Sequence, residues 1–199
     1  MGNADLAAKV AFYGLIACWW AFGLTFWLRK RPPKAREAKR DLTSYLGLAL
    51  QAVGYFVVWF SPLRRHQPSA IVAVPGWMAW PVAILALSIG VLSAWLVIAA
   101  ARRLGKQWAL AARVVEDHTL IEDGPYRFVR NPIYTGMYGM LLATGLVVSR
   151  WIPVLIATIF FAIGTWIRIR GEERLLRGVF GSRFDDYARR VPAVIPGIY

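Results

Sequence analysis

Cysteine and histidine are both scarce in this chain, which limits the covalent and titratable chemistry available to it. The 199 residues include one cysteine and two histidines. Cys18 therefore has no partner for an intramolecular disulfide, and the redox compartment stays undetermined. His66 falls in a predicted surface loop, so His118 is the histidine that bears on function.

Acidic residues are also few. The chain has 11 Asp and Glu against 24 Lys and Arg, for a formal net charge of +13. Such an excess can indicate nucleic-acid binding, but no recognisable nucleic-acid-binding motif accompanies it. Basic residues also gather in the cytoplasmic loops of membrane proteins and beside anionic headgroups. We therefore predict membrane lipids as partners and no nucleic acid.

Charge is absent altogether from three long runs, residues 10–28, 45–63 and 77–101. Each run is close to the roughly 20 apolar residues that cross a hydrocarbon core of about 30 Å. The whole chain is 58% hydrophobic, which exceeds the usual share in a soluble domain. The three runs predict membrane-spanning helices, and the first is interpreted as a retained span rather than a cleaved signal peptide.

The basic loop at 29–40 predicts the orientation, because cytoplasmic loops carry the excess of Lys and Arg. Residues 102–131 then lie on the cytoplasmic side as well. A further hydrophobic region, 133–167, is interrupted at 149–151 and predicts a helical hairpin of two short segments, either two full spans or a re-entrant pair.

The predicted fold class is therefore all-α, a polytopic membrane bundle of about five transmembrane helices with a cytoplasmic C-terminal cofactor-binding region. Residues 1–103 would form three spans. Residues 104–199 would form a functional core with the hairpin 133–167 and a cytoplasmic C-terminal helix. Gly136, Gly139 and Ala143 predict a stripe of small residues for close helix contact.

Two charged clusters flank the hairpin, at 118–134 and at 168–174. Ionisable residues at a membrane are costly, and they therefore indicate a functional site. A helical hairpin returns its end to the side on which it began. The two clusters are thus expected to meet at one membrane surface.

These clusters resemble the signature of the isoprenylcysteine carboxyl methyltransferase and phospholipid methyltransferase families. The segment HTLIEDGPYRFVRNPIYTG is similar to the family's H-T-L-V, G-x-Y and R-H-P-x-Y elements. The later GEERLLRGVFGSRFDDYARRVPAVIP is similar to its E-E, F-G-x-x-Y-x-x-Y and V-P-x-x-x-P elements. The resemblance covers residues 104–196, and the earlier spans match only as hydrophobic segments.

The resemblance implies an S-adenosylmethionine site under the cytoplasmic C-terminal region, with the reactive methyl group facing the membrane. It implies no metal ion. Arg168 and Asn131 are the residues assigned to catalysis, Arg168 by way of the substrate. The residues that the resemblance assigns to the cofactor are His118, Thr119, Leu120, Ile121, Tyr126, Asn131, Pro132, Ile133, Tyr134 and Glu172.

Asn131 departs from the family pattern, which has histidine at this position. An amide can still hydrogen-bond a cofactor, but it cannot titrate near neutral pH and so cannot act as a general base. A carboxylate acceptor, oriented by Arg168, needs no base. An amine acceptor would need one, for which Glu173 and His118 are candidates, although Glu173 is equally interpreted as an exposed partner of Arg177.

The sequence thus predicts an integral membrane S-adenosylmethionine-dependent methyltransferase that acts on a lipid or a lipidated acceptor. The acceptor group is either the carboxylate of a prenylcysteine-like substrate or a phospholipid amine. The alternative is an NADPH-dependent membrane reductase of a sterol-like lipid, in which Arg127, Arg130 and Arg174 would bind the 2′-phosphate. A non-enzymatic scaffold is a third hypothesis, and the oligomeric state stays open.

Overall fold

The structure is a computed structural model that describes residues 3–28, 43–60, 71, 74–105 and 119–195. The described residues contain helices and short 3₁₀ turns, with no β-strand among them. This confirms the predicted all-α class for that part of the chain. Six α-helices have both ends within it: α1 Asn3–Trp27, α2 Thr43–Phe60, α3 Ala79–Leu104, α4 Pro132–Val148, α5 Trp151–Phe180 and α6 Ser182–Arg190.

Four helical stretches are long and apolar enough to cross a membrane: α1, α2, α5, and α3 together with the 3₁₀ turn Gly76–Met78 that precedes it. The fifth apolar helix, α4, has 17 residues and is shorter. The described residues thus fit a multi-pass membrane protein with four clear spans, and of the two hairpin segments predicted to be short only α4 is short. The loop at 29–40, on which the predicted orientation depends, and His66 lie outside the described residues.

The end of the hairpin differs from the sequence prediction. The polar residues after 167 do not begin a separate interfacial helix, because α5 runs through them without a break to Phe180, a total length of 30 residues from Trp151. The break comes at Gly181, whose φ of 53° lies in the left-handed region that glycine accepts at little cost. The segment 168–180 is rich in Arg, Glu and Leu, which favour helix, so its polarity changes the surroundings of the helix without ending it.

Helices α2 and α5 pack antiparallel and unusually close. A β-carbon placed on Gly164 of α5 would lie 2.5 Å from the carbonyl oxygen of Gly47 on α2. Toward the other end of the pair, a β-carbon on Gly54 would lie 2.8 Å from the carbonyl oxygen of Ala157. Such contacts fit backbones brought together by small residues, as is common in membrane helix pairs.

The predicted small-residue stripe on α4 is confirmed as a packing surface. A β-carbon on Gly136 would lie 2.8 Å from the carbonyl oxygen of Ser93 on α3, and one on Gly139 would lie 2.0 Å from the Ser93 hydroxyl. Ala143 of α4 faces Gly90, which also belongs to α3. The stripe therefore sets the approach of α4 to α3, since each of its members meets that helix.

One end of the bundle gathers the two charged clusters that flank the hairpin, as far as the structure describes them, and we call it the charged end. The last turn of α3 is there, because Arg103 forms an ion pair of 3.0 Å with Asp123 in the segment before α4. The final turns of α5 and the first turns of α2 are there too, because Gly47 lies against Arg168. The topology thus brings the two flanking clusters together as expected. The placement of the charged end on the cytoplasmic side stays a prediction.

We expect Gly164→Ala to lower the thermal stability of the detergent-solubilised protein, because the added methyl group meets backbone atoms of α2. Overpacking of this kind costs about 1–3 kcal/mol. Scanning fluorimetry measures the effect. Gly178→Ala is the matched control, since this glycine is also in α5 and a β-carbon there meets nothing within 4 Å. Equal melting temperatures for the two variants would contradict the close α2–α5 contact.

Candidate active site

The segment 119–131 forms a compact loop at the charged end. Asp123 precedes a 3₁₀ turn, Gly124–Arg127, and its carbonyl accepts a hydrogen bond from the Tyr126 backbone N–H at 3.1 Å. Gly124 has a φ of 58°, which favours glycine at this position. The stem of Arg103 lies beside it, where a β-carbon would meet the Arg103 side chain at 3.2 Å. The loop is thus shaped by its own turn and fastened to α3.

The C-terminal segment after α6 runs along this loop. The Arg130 backbone N–H donates to the carbonyl of Pro192 at 2.8 Å, and the Asn131 N–H donates to that of Ala193 at 3.0 Å. The Thr135 hydroxyl donates to the carbonyl of Val194 at 2.6 Å. Residues 192–194, the described middle of the V-P-x-x-x-P element, therefore lie across the start of α4 and are hydrogen-bonded to it.

Helix α6 is held over the loop by a buried tyrosine and by surface ion pairs. The Tyr187 hydroxyl donates to the carbonyl of Tyr126 at 2.6 Å. Burial raises the pKa of Tyr187 above the usual tyrosine value, so the phenol keeps its proton and remains a donor. Arg183 and Arg190 both lie 3.2 Å from the Glu122 carboxylate.

Glu173 has a different partner from the one that helical spacing suggested. Arg130 Nη2 lies 2.9 Å from the Glu173 carboxylate, and both side chains are largely buried. Arg177, the expected i,i+4 partner, pairs instead with Asp185 at 2.7 Å. The exposed-pair interpretation of Glu173 is therefore wrong, because the loop brings a closer cation to it than the next helical turn does.

A cavity opens between the loop, α5 and α6. Its volume is about 80 Å³, below the range of about 300–1,000 Å³ typical of small-molecule sites. With the open mouth included, the space comes to about 480 Å³. Its walls are mixed, with aromatic and aliphatic side chains around two carboxylates and one arginine. The lining residues are Leu104, Thr119, Leu120, Ile121, Tyr126, Arg130, Asn131, Glu172, Glu173, Leu176, Phe184 and Tyr187.

The cavity brings together most of the residues assigned by resemblance to the cofactor. Six of them line it: Thr119, Leu120, Ile121, Tyr126, Asn131 and Glu172. Three do not, namely Pro132, Ile133 and Tyr134. His118 lies outside the described residues. Asn131 and Glu172, from the two separate motifs, thus face one shared space.

Pro132 and Tyr134 support the site from behind. Pro132 is fully buried in the first turn of α4, where its missing N–H costs no helical hydrogen bond. The Tyr134 hydroxyl donates to the Glu172 carboxylate, which fixes one oxygen of that side chain. These residues therefore do not line the cavity themselves, and they pack or hydrogen-bond behind the residues that do.

Arg168, the residue assigned to the substrate, lies one helical turn before Glu172 on α5 and is not among the residues that line the cavity. It is only 5% exposed, its Nη2 is 4.0 Å from the Glu172 carboxylate, and its guanidinium carbon is 5.2 Å from the Tyr134 ring centre. A charged guanidinium in this position needs compensation, which the carboxylate and the ring face supply.

The geometry adds to what the sequence indicates about Asn131 and Trp166. Asn131 uses its side-chain Nδ2 to donate to the Ala193 carbonyl at 3.1 Å, so its amide fastens the C-terminal segment as well as lining the cavity. Trp166, an aromatic residue two positions before Arg168, is 59% exposed and lies outside the cavity lining. Its indole instead contacts the guanidinium of Arg170.

Several lining residues were not assigned to the site from the sequence. Phe184 and Tyr187 form a small apolar cluster with Val191, against which Leu120 and Leu176 pack. Their helical spacing was visible, but an amphipathic helix is equally expected to pack against a membrane surface. Only the loop–α6 contact shows that these aromatic side chains face a cavity.

The fold and the cavity define a class: a multi-pass helical membrane protein with a partly polar cavity at one end of its bundle. The model of the phospholipid methyltransferase family matches residues 82–183, half of the chain. The chain belongs to this family. The match runs from α3 into α6 and includes the first motif segment and the second as far as Arg183, which confirms the resemblance seen in the sequence.

The curated relatives include two proteins named as methyltransferases and one named as a metal-resistance protein. Protein-S-isoprenylcysteine O-methyltransferase of Schizosaccharomyces pombe is 32% identical over 44% of this chain and 37% of its own length. Protein-S-isoprenylcysteine O-methyltransferase B of Arabidopsis thaliana is 34% identical over 41% of each chain. The cobalt-zinc-cadmium resistance protein CzcN of Cupriavidus metallidurans is 32% identical over 47% of this chain and 43% of its own. The matches thus span about two fifths of these relatives.

We expect Tyr187→Phe to loosen the attachment of α6 to the loop, because the Tyr126 carbonyl loses a buried donor. An unsatisfied buried group of this kind costs about 1–3 kcal/mol. Hydrogen exchange measured by mass spectrometry should rise in peptides covering 126–131 and 182–194. The control is Tyr13→Phe, since Tyr13 is 70% exposed on α1. Unchanged exchange in both peptides would contradict the proposed attachment.

Proposed function

We propose that this protein is an S-adenosylmethionine-dependent methyltransferase that acts on a lipid or a lipidated acceptor in the membrane. The observation that carries the proposal is the shared cavity, in which residues of both family motifs face one space at one end of an apolar bundle. Family membership and the names of the relatives support the same chemistry.

The cavity fits such a cofactor in the chemistry of its lining. Glu172 offers a carboxylate to the cofactor's cationic amino group, and its orientation is fixed by Tyr134. Tyr126, Phe184 and Tyr187 offer aromatic surface for an adenine ring. When bound, the cofactor would supply an activated methyl group on a sulfonium, so the chain's own task is to position the partners and to exclude water.

Arg168 favours a carboxylate as the acceptor. Its guanidinium is a fixed donor fork, buried on the side of Glu172 that leads into the apolar part of α5. A carboxylate can be oriented by such a group and attacks a methyl group without a general base. We therefore place the carboxylate of a prenylcysteine-like molecule at Arg168, with its hydrocarbon chain toward the membrane.

The cavity is proposed to open on the cytoplasmic side. The support is the basic sequence at 29–40 and the arginines at the end of α3, since positive charge marks cytoplasmic loops. The reductase alternative receives no comparable support. Arg130, one of the arginines that it requires for a 2′-phosphate, is already paired with Glu173.

We expect Glu172→Gln to weaken the binding of S-adenosylhomocysteine by about 10–100-fold, because the amide replaces a charged partner of the amino group while keeping the shape. Isothermal titration calorimetry with the detergent-solubilised protein measures the affinity.

The control is Asp186→Asn, which removes one negative charge from an exposed position on α6 outside the cavity lining. Its affinity should match that of the wild type. Absence of S-adenosylhomocysteine binding by the wild-type protein would overturn the proposed function itself.

We expect methyl transfer from radiolabelled S-adenosylmethionine to farnesylcysteine with a free carboxylate. The matched carboxamide should take no methyl group, since it lacks the nucleophilic oxygen. Arg168→Met should lower kcat/KM for farnesylcysteine by about 100-fold or more, as expected for a lost charge-assisted contact to the acceptor.

Vesicles containing phosphatidylethanolamine provide the competing acceptor. Label found in the lipid headgroup, with none in farnesylcysteine, would keep the methyltransferase but reject the carboxylate acceptor.

A further inference from the structure

Helix α2 contributes a buried polar side chain to the site, although it lies outside the family match at 82–183. Gln51 is 1% exposed, in a helix that is otherwise apolar around it. Its side-chain carbonyl accepts a hydrogen bond from Arg168 Nη1 at 3.2 Å, and its Nε2 donates to the Thr165 hydroxyl at 2.8 Å. Both ends of the amide are therefore engaged with α5.

The Arg168 contact fixes which way the amide faces, because a guanidinium only donates hydrogen bonds, and the Thr165 hydroxyl can accept from the other end. Thr165 lies almost one turn before Arg168 on α5, and its hydroxyl accepts the Gln51 N–H while the carbonyl points to the guanidinium. A buried amide without such partners would be strongly unfavourable in an apolar environment. The arrangement thus gives Gln51 one orientation rather than two.

The same face of α2 makes room for the arginine. Gly47 lies one turn before Gln51, and a β-carbon there would lie 2.5 Å from Arg168 Cγ. The stem of the arginine therefore crosses α2 at a position where any larger residue would displace it. Helix α2 both admits the side chain and holds its head group.

The chemistry of an amide suits this position. A carboxylate at position 51 would hold Arg168 more tightly but would neutralise its charge, as a buried ion pair does. An amide is a neutral acceptor, so it orients the guanidinium and leaves its positive charge to act on other groups. Nη1 is bound by Gln51, and Nη2 lies on the side of Glu172, at 4.0 Å.

We propose that Gln51 is a positioning residue that orients the Arg168 guanidinium toward the acceptor. Thr165 acts through Gln51, because its hydroxyl accepts a hydrogen bond from the Gln51 side-chain amide and so helps to hold that amide in place. This inference rests on the proposed function for its kinetic consequence. The orientation of Arg168 by Gln51 can be measured independently of any reaction.

The test compares Gln51→Met, which keeps the volume and removes both hydrogen bonds, with Thr165→Val and Thr165→Ser. Gln51→Met should lower kcat/KM for farnesylcysteine by about tenfold or more, mainly through KM, while the dissociation constant for S-adenosylhomocysteine stays within about twofold. Thr165→Val should show a smaller loss in the same direction, and Thr165→Ser, which keeps the hydroxyl, should restore wild-type kinetics.

Tyr55→Phe is the structural control. Tyr55 lies one turn after Gln51 on α2 and donates to the Met137 carbonyl at 2.6 Å, so the variant also loses a buried interhelical hydrogen bond. It should reduce the melting temperature and leave the kinetics unchanged below that temperature. Equal kinetic losses in Tyr55→Phe and Gln51→Met, or wild-type kinetics in Gln51→Met, would overturn the positioning role.

Nuclear magnetic resonance of arginine labelled with ¹⁵N separates this inference from the proposed function. The Arg168 guanidinium, assigned with Arg168→Met, should rotate slowly in the wild type and faster in Gln51→Met. If the wild type neither binds S-adenosylhomocysteine nor transfers methyl groups, the proposed function fails, and slow rotation that depends on Gln51 still supports the orientation. Equal rotation in the two proteins would reject it.

Discussion

The close contact of α2 with α5 is the constraint on which the site depends, because it allows a charged side chain to be buried in an apolar bundle. Gly47 and Gly164 bring the two backbones together, and Arg168 passes between them. The guanidinium then meets Gln51, Glu172 and the Tyr134 ring. An ionised group inside a membrane protein persists only with such compensation. Helix packing and site electrostatics are therefore one problem in this molecule.

The cavity beside this cluster is built by segments with little regular structure of their own. The loop 119–131 is held by α3 at one side, by α6 above it and by the C-terminal segment at its end. Most of these attachments are hydrogen bonds to backbone carbonyls, so they depend on the path of the chain more than on residue type. The cavity therefore takes its shape from several individually weak hydrogen bonds and ion pairs.

Family membership rests on the second half of the chain, yet the first half also reaches the site. The family match begins at residue 82, whereas Gln51 and Gly47 belong to α2. The matched part carries most of the cavity lining, and α2, outside it, contributes to the surroundings of Arg168.

The sequence alone determined the membrane class, the charged end of the bundle and the two motifs, because long uncharged runs and a hairpin have few alternatives in a bilayer. It did not determine that α5 continues to Phe180, since polar residues end a hydrophobic run without ending a helix. Nor did it predict the partner of Glu173, which Arg130 supplies from a distant loop. Gln51 was hidden for the same reason: a lone amide in an apolar helix has no periodic signal. Only the antiparallel contact of α2 with α5 decides what that amide faces.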